Sequence, residues 1–320
     1  MSIRPVDHGV MAGQGGIIPD VVAYGGKVSQ YVDDSSGNTF RCHTFMGSGA
    51  LELIANPLSR TVDIMMVAGG GNGLGGYNNR GPGGGGAGGC RFITGVSFTV
   101  GTKTVTVGTG GVRYSAAYAG NKGKYTTITG VTGANPGTTG GGYSGNSDGG
   151  DGGSGGGAGS GAPGSGNEGG FSPVEGYDGG DGYTGNSTHY TGGGGGGWSE
   201  VGQDGDGSGG GNGGHGDWSI GWIRQHHAGT SSNGVRYGGG GGSVEYDATT
   251  SGEPGAGGGG RGGSGTSTEF GWSGVPNTGG GAGTSRNTTI ASSGGLTTDV
   301  QFTGGGTGMV IFRYQVQPVA

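Results

Sequence analysis

The run Thr191-Gly192-Gly193-Gly194-Gly195-Gly196-Gly197-Trp198 typifies the stretch that decides the fold, a glycine field extending from about Gly130 to Gly306. Glycine has no side chain to pack, and it loses more backbone entropy on folding than any other residue. Such a field therefore has two outcomes. It stays disordered, or its backbones approach so closely that main-chain hydrogen bonds replace a hydrophobic core.

The composition first suggests low complexity, because 98 glycines and 10 prolines make up about a third of the 320 residues. Collagen is excluded, since it needs glycine at every third position and segments such as 171–191 and 215–237 break that period. A flexible linker is also a poor match, because aromatic residues recur through the field and linkers are usually poor in them.

An ordered alternative is the polyglycine-II helix, which has three residues per turn, rises about 3.1 Å per residue and makes no internal hydrogen bonds. Its N–H and C=O groups point outward, so neighbouring helices satisfy one another wherever no Cβ intervenes. The stretches between turn-like segments are about ten to fifteen residues long, which predicts rods of roughly 30–45 Å. We therefore predict a packed polyglycine-II bundle rather than disorder.

Apolar β-patterns lie at both ends of the chain, and no segment shows a helical period. A hairpin is predicted over 21–32 around Gly25-Gly26, and further strands follow up to Thr129. Strand character returns at 298–303 and at 309–316, and the last strand is expected to pair back with the N-terminal strands. The predicted fold is all-β with little or no helix: a small β-sandwich of N- and C-terminal strands, with the glycine-rich bundle inserted.

The expected domain organisation follows from that layout. Residues 1–38 form an N-terminal arm and hairpin for attachment, residues 39–129 with 298–320 form the sandwich, and residues 130–297 form the bundle with its aromatic loops. Cys42 and Cys90 show no metal-ligand spacing and are expected to be buried strand residues, with a disulfide formed after release as the alternative.

The net charge of −6, without a basic block, argues against nucleic acid as a partner. The N-terminus has no apolar run, so we expect synthesis in a cytoplasm without a secretory signal peptide.

Several motifs occur in a fixed order: Thr44-Phe45, Val62 to Gly71, Gly83 to Gly89, Val105 to Gly108 and Gly304 to Tyr314. This set resembles the glycine-rich domain of phage tail fibre and other virion proteins, over about residues 39–315. It is also similar in style to the tail-tip adhesins of T4-like phages, in which loops on a polyglycine-II bundle recognise bacterial receptors. The strands on both sides of the field and the longer inserts depart from those adhesins.

The resemblance implies that contact residues lie where glycine stops, in the inserts 168–191, 198–206, 215–237 and 243–254, with 264–278 as a weaker fifth. Aromatic residues and arginine are favoured contact residues. We therefore expect receptor contacts from Tyr177, Tyr183, His189, Tyr190, Trp198, Trp218, Trp222, Arg224, His226 and Tyr237. For Trp218, Trp222 and Ile223 an equal alternative is a small core at the bundle tip or a subunit interface.

Other chemistry has little support in the sequence. His226 and His227 are adjacent and face opposite ways on an extended chain, so they make a poor metal pair. The Asp-Gly-Gly-Asp motifs at 148–151 and 178–181 resemble fragments of calcium loops, but solvated turn residues are the better interpretation. We expect no enzyme activity, no metal and no cofactor.

Two functions of different classes remain. The first is a virion receptor-binding protein, which attaches to tail or capsid proteins through its N-terminal region and binds a host polysaccharide or outer-membrane protein. The second is a structural virion decoration or a self-assembling extracellular fibre. Ice binding is a distant third. A homo-oligomer is expected in either case, with a trimer suggested by analogy with tail fibres.

Overall fold

A computed structural model of the chain describes residues 20–75, 81–112, 120–131, 137–186, 189–217, 236–244, 250–263, 270–285 and 303–316. Within these residues every regular element is a β-strand, which confirms the predicted all-β class. Ten of the strands form two antiparallel sheets, and the rest of the described chain is mostly glycine-rich segments without strand pairing.

The first sheet has the strand order β1-β4-β7-β8-β9. Its strands are β1 (Val22–Tyr24), β4 (Gly49–Ala55), β7 (Gly101–Thr106), β8 (Thr126–Thr129) and β9 (Gly137–Thr138). In β4 and β7 the side chains alternate between buried and exposed, so one face packs inward and the other meets solvent.

The second sheet has the strand order β2-β3-β12-β5-β6. Its strands are β2 (Lys27–Val32), β3 (Thr39–Phe45), β12 (Met309–Val316), β5 (Thr61–Val67) and β6 (Cys90–Ser97). β12 pairs with β3 on one side and with β5 on the other, which confirms that the C-terminal strand returns to the N-terminal ones.

The core of the sandwich lies between the two sheets and includes Leu51, Leu53, Ile64, Phe312 and Tyr314. The outer face of the second sheet is also buried in part. A separate cluster there joins strand residues to Trp198 and Tyr237 from the glycine field. This second burial explains why β5 reads as a continuous apolar run, Ile64 to Val67, rather than an alternating one.

The predicted hairpin over 21–32 is wrong. β1 pairs with β4 in the first sheet, whereas β2 pairs with β3 in the second. Gly25 and Gly26 carry the chain between the sheets with φ angles of 123° and 63°. A Cβ on Gly25 would lie 2.1 Å from the Ala50 carbonyl oxygen. The described part of the expected N-terminal arm, residues 20–38, therefore belongs to the sandwich.

The glycine-rich segments are rods joined side by side, as predicted. The rod 81–89 is central, and its backbone bonds to six others. These six are 68–75, 138–146, 154–159, 191–197, 237–244 and 279–285. The pattern has a period of three: the N–H groups of residues 81, 84 and 87 donate to carbonyl oxygens of 190, 193 and 196, and those of 83, 86 and 89 to 145, 142 and 139. Period three and lateral bonding are the geometry of polyglycine II.

The spacing of the rods explains the glycine content. A Cβ on Gly84 would lie 2.0 Å from the carbonyl oxygen of Gly241, and a Cβ on Gly195 equally close to that of Gly85. Alanine does occur at four fully buried positions of the described rods, Ala68, Ala87, Ala158 and Ala282. Glycine is therefore required by the particular contact at each position rather than by the rod as a whole.

The rods are shorter than the ten to fifteen residues predicted. The central rod spans 81–89, about 28 Å at 3.1 Å per residue. The first excursion also belongs to the bundle, since 68–75 and 81–89 are inner rods rather than part of the sandwich. The rods continue the strands, because β5 leads into 68–75 and the rod 81–89 leads into β6. Most of the strand predicted over 298–303 lies outside the described residues.

One side chain takes the place of a rod. The rod 138–146 bonds to 68–75, 81–89, 120–124, 149–153 and 154–159. Between 120–124 and 149–153 the described residues place no rod, and the side chain of Tyr143 lies there. A Cβ on Gly120 would come within 2.7 Å of Tyr143 Cβ, and one on Gly150 within 2.5 Å of its Cδ1. Tyr143 therefore completes the packing around this rod.

Candidate functional site

The rods run alternately away from the sandwich and back, so the bundle has two distinct ends. Residue 89 adjoins β6, and because residue 139 bonds to 89 while 145 bonds to 83, the rod 138–146 runs outward. Residues 190, 193 and 196 bond to 81, 84 and 87, so the rod 191–197 runs back. We call the far end of the bundle the tip end and the other the sandwich end.

The tip end carries a short hairpin of β10 (Tyr183–Asn186) and β11 (His189–Thr191). Two hydrogen bonds fix the base of the hairpin. Gly81 N–H donates to the Tyr190 carbonyl oxygen at 3.1 Å, and the Thr191 hydroxyl donates to the backbone carbonyl oxygen of Asp206 at 2.7 Å. Three of the predicted contact residues, Tyr183, His189 and Tyr190, lie on this hairpin. Tyr183 is 38% exposed.

The neighbouring turn at the tip is held by a carboxylate. Asp206 Oδ1 accepts hydrogen bonds from the Ser208 N–H and hydroxyl, both at 2.7 Å, and from Gly209 N–H at 2.9 Å. These bonds, with the Ser208 hydroxyl as the largest contribution, lower the pKa of Asp206. The tip therefore combines an exposed aromatic ring with a turn whose carboxylate stays ionised.

Tyr177, Trp198 and Tyr237 lie at the sandwich end instead. Tyr237 is only 4% exposed and packs with Trp198 on the outer face of the second sheet. Burial raises the pKa of Tyr237 to about 12. These two side chains pack the bundle against the sandwich, so their contacts are structural. Tyr177 remains 39% exposed, and its N–H donates to the Gly197 carbonyl oxygen at 3.0 Å.

The other four predicted contact residues, Trp218, Trp222, Arg224 and His226, lie outside the described residues. Their segment follows Asp217 and precedes Arg236, and Asp217 forms an antiparallel bridge with Tyr237 at the sandwich end. The six described candidates therefore divide between the two ends of the bundle, and they do not form one surface.

A family model described as a glycine-rich domain matches residues 46–315, most of the sandwich and the whole bundle. The chain belongs to this glycine-rich domain family. No curated protein matches it.

Trp272, the most exposed aromatic side chain among the described residues of this glycine-rich domain, is not among the contact residues expected from the sequence. Trp272 is 64% exposed and lies on the rod 270–275, within the insert 264–278 that we ranked lowest. Val275, three residues further along the rod, is also exposed. Because a polyglycine-II rod repeats every three residues, Trp272 and Val275 share one face. That spacing is a signal that could have identified the pair.

The Asp-Gly motifs have a backbone role in the domain. Asp151 Oδ1 accepts the Ser165 N–H at 2.7 Å, while Gly152 N–H donates to the Ser165 carbonyl oxygen at 3.0 Å. The same two-bond pattern recurs at Asp148, Asp204, Asn212 and His215. On outer rods a side chain thus satisfies an N–H that has no neighbouring rod to bond. Among the described residues, no group of three His, Cys, Asp or Glu is arranged to hold a metal.

Glu175 is a fully buried carboxylate with a complete set of donors. Its Oε2 accepts the Thr138 hydroxyl at 2.6 Å and the Thr139 N–H at 2.8 Å, and its Oε1 accepts the Gly169 N–H at 3.3 Å. The backbone carbonyl oxygen of Glu175 accepts the Cys90 N–H at 2.8 Å. These bonds tie the segment 167–175 to strands β6 and β9. Nearby, Arg91 donates to the Gly137 carbonyl oxygen at 2.7 Å and lies 3.8 Å from the centre of the Phe171 ring.

Cys42 and Cys90 are both buried and free, and burial raises the pKa of both thiols, that of Cys42 to about 12. This agrees with the expectation of buried strand residues rather than a disulfide. In the described part of the chain no helix is long and apolar enough to cross a membrane.

Proposed function

We propose that this protein is a virion component of a phage, in the tail fibre or tail tip, that binds a molecule on the host-cell surface. The observation that carries the proposal is the tip hairpin β10–β11, which presents Tyr183 and Tyr190 on a rigid bundle, at the end away from the sandwich. An immobilised backbone lowers the entropy cost of binding, and tyrosine supplies a large contact area with few rotatable bonds.

Because the bundle has two distinct ends, we assign a different role to each end. The sandwich, with the N-terminal region, attaches to other tail or capsid proteins, and the tip hairpin contacts a host polysaccharide or outer-membrane protein. Assembly as a homo-oligomer, trimeric by the resemblance to tail fibres, would repeat the tip and raise the avidity of a weak single contact. The site of action is the extracellular particle.

The test is adsorption of phage carrying the double variant Tyr183→Ala/Tyr190→Ala. We expect at least a tenfold fall in the adsorption rate with normal particle assembly, because these two rings supply the tip's aromatic contact area. The matched control is Tyr24→Ala, which removes an exposed ring from the sandwich. The proposal is wrong if adsorption is unchanged, or if the control reduces it equally.

A structural virion or fibre protein is the second candidate, and the packing of Trp198 and Tyr237 favours it. Both were expected as contact residues, yet both join bundle to sandwich. Deletion of 218–235 separates the two functions. Failure of particle assembly supports the structural protein, whereas normal assembly argues against it and leaves receptor binding to be decided by the tip variants.

A further inference from the structure

Trp272 stands on a side of the bundle, apart from the tip hairpin. Its N–H donates to the Arg261 carbonyl oxygen at 2.8 Å, and its own carbonyl oxygen accepts the Gly283 N–H at 2.9 Å. The backbone is thus held by a rod on either side while the indole remains the most exposed large apolar group of the described residues. The ring is presented to solvent from a fixed position.

Charged groups lie on the next two rods. Arg261, on the rod 258–263, pairs with Glu253, on the rod 250–256, with 3.2 Å between Nε and Oε1, and both side chains are partly exposed. Backbones joined by N–H···O bonds lie roughly 5 Å apart. Residues bearing an indole, a guanidinium and a carboxylate therefore lie on three adjacent rods, and the outer two of these rods are roughly 10 Å apart.

We propose that Trp272, Arg261 and Glu253 form a binding platform for a neutral saccharide. The indole offers an apolar face on which the C–H face of a sugar ring stacks. Arginine supplies only hydrogen-bond donors and an ionised glutamate only acceptors, so together they match the two capacities of a sugar hydroxyl. The span of roughly 10 Å suits two linked sugar rings lying across the rods.

The chemistry of the platform disfavours two other ligand classes. An anionic ligand gains little, because the Glu253 carboxylate already neutralises Arg261. A protein partner needs roughly 800 Å² of surface on each side. Among the described residues of this patch, the large apolar groups are only Trp272, Val275 and Phe270, on one rod. A contact between copies of this chain is the competing outcome that the test must separate.

The platform goes beyond the proposed function, because it uses none of the ten expected contact residues and lies away from the tip. Its test therefore needs neither host cells nor phage. The purified full chain is run in native gels cast with dextran, mannan, glycogen or galactan, and the apparent dissociation constant is read from retardation against polymer concentration.

We expect retardation by at least one polymer, weakened at least tenfold in Trp272→Ala and largely retained in Trp272→Phe, which keeps a stacking face. Glu253→Gln should weaken it by a smaller factor, and Tyr183→Ala at the tip should leave it unchanged. Unchanged urea midpoints show that the variants are folded.

Two results would overturn the proposal. The first is no retardation in any of the four gels, and the second is retardation that Trp272→Ala leaves intact. In the second case, a fall in the sedimentation coefficient of Trp272→Ala would identify the patch as a contact between copies. If the tip variant loses adsorption but the purified protein is not retarded in any gel, the proposed receptor-binding function is supported and only the saccharide platform is rejected.

Discussion

Replacing Gly84 by alanine tests whether backbone proximity, rather than a hydrophobic core, stabilises the bundle. Gly84 lies in the central rod, and the new Cβ would sit 2.0 Å from the Gly241 carbonyl oxygen. An ordinary contact of a Cβ is 3.4 Å or more. The rods 81–89 and 237–244 must therefore separate by about 1.4 Å, or the backbone must distort by as much.

The expected cost combines three contributions. Overpacking a close-packed interior costs about 1–3 kcal/mol. The bonds from Gly84 N–H to Gly193 and from Gly157 N–H to Gly84, both 2.8 Å, lengthen, at about 1 kcal/mol each. Alanine also lowers the conformational entropy of the unfolded chain, which by itself raises the free energy of unfolding by about 0.4–1 kcal/mol. The free energy of unfolding should fall by about 3 kcal/mol, a large part of the roughly 5–15 kcal/mol typical of a domain.

The assay is urea unfolding followed by tryptophan fluorescence, since Trp198 reports on the junction of bundle and sandwich. With an m-value of about 3 kcal/mol/M, the midpoint should drop by about 1 M. The control is Gly47→Ala, where nothing lies within 4 Å of the new Cβ and the midpoint should stay or rise slightly. Equal midpoints for the two variants would refute the reasoning, because the lattice would then tolerate a methyl group at its centre.

Three further variants probe individual contacts. Glu175→Gln places an amide among hydrogen-bond donors that now bind a carboxylate, so the free energy of unfolding in urea should fall by about 2–4 kcal/mol. The control Glu200→Gln, on the surface, should change it by less than about 0.5 kcal/mol. Asp151→Ala leaves the Ser165 N–H without its acceptor and should cost about 1 kcal/mol, while Asp151→Asn keeps an oxygen there and should be nearly neutral by the same measurement. His43 donates from Nδ1 to the Gly25 carbonyl oxygen and accepts the Tyr314 hydroxyl, and its burial lowers its pKa. As the pH falls, His43 is therefore protonated in the unfolded chain before it is protonated in the folded one, so the free energy of unfolding should fall below about pH 6.5. His43→Gln should lack this pH dependence when urea unfolding is repeated from pH 7.5 to 5.

The sequence predicted those features that depend on side-chain pattern. Alternating residues in β4 and β7 marked strands with one buried face, and the isolated apolar strand β12 had to find partners far away in the chain. The bundle was predictable as well, because a glycine field with recurring aromatic residues has one common way to satisfy its backbone.

Neighbour relations within the bundle were not predictable from the sequence. Rods such as 81–89 and 191–197 carry almost no side chains, so nothing in their composition specifies which rods they bond. The burial of Tyr237 depends on these relations, since the rod 237–244 happens to begin over Cys90 and Ile311 of the second sheet. A residue's position in an insert therefore gave no information about its exposure, and exposed Trp272 and buried Tyr237 looked alike.

The alternation of rod directions has a consequence for how such a protein can diversify. Because each outward rod is followed by a returning one, a rod can be gained or lost only together with its antiparallel companion if the strands β6 and β12 are to keep their places. Change within a tip loop carries no such restriction, since the hydrogen bonds that fix the rods are made by the backbone below it. Loop sequences at the tip are thus free to change while the number of rods changes in steps of two, and the scaffold and its tip loops can evolve at different rates.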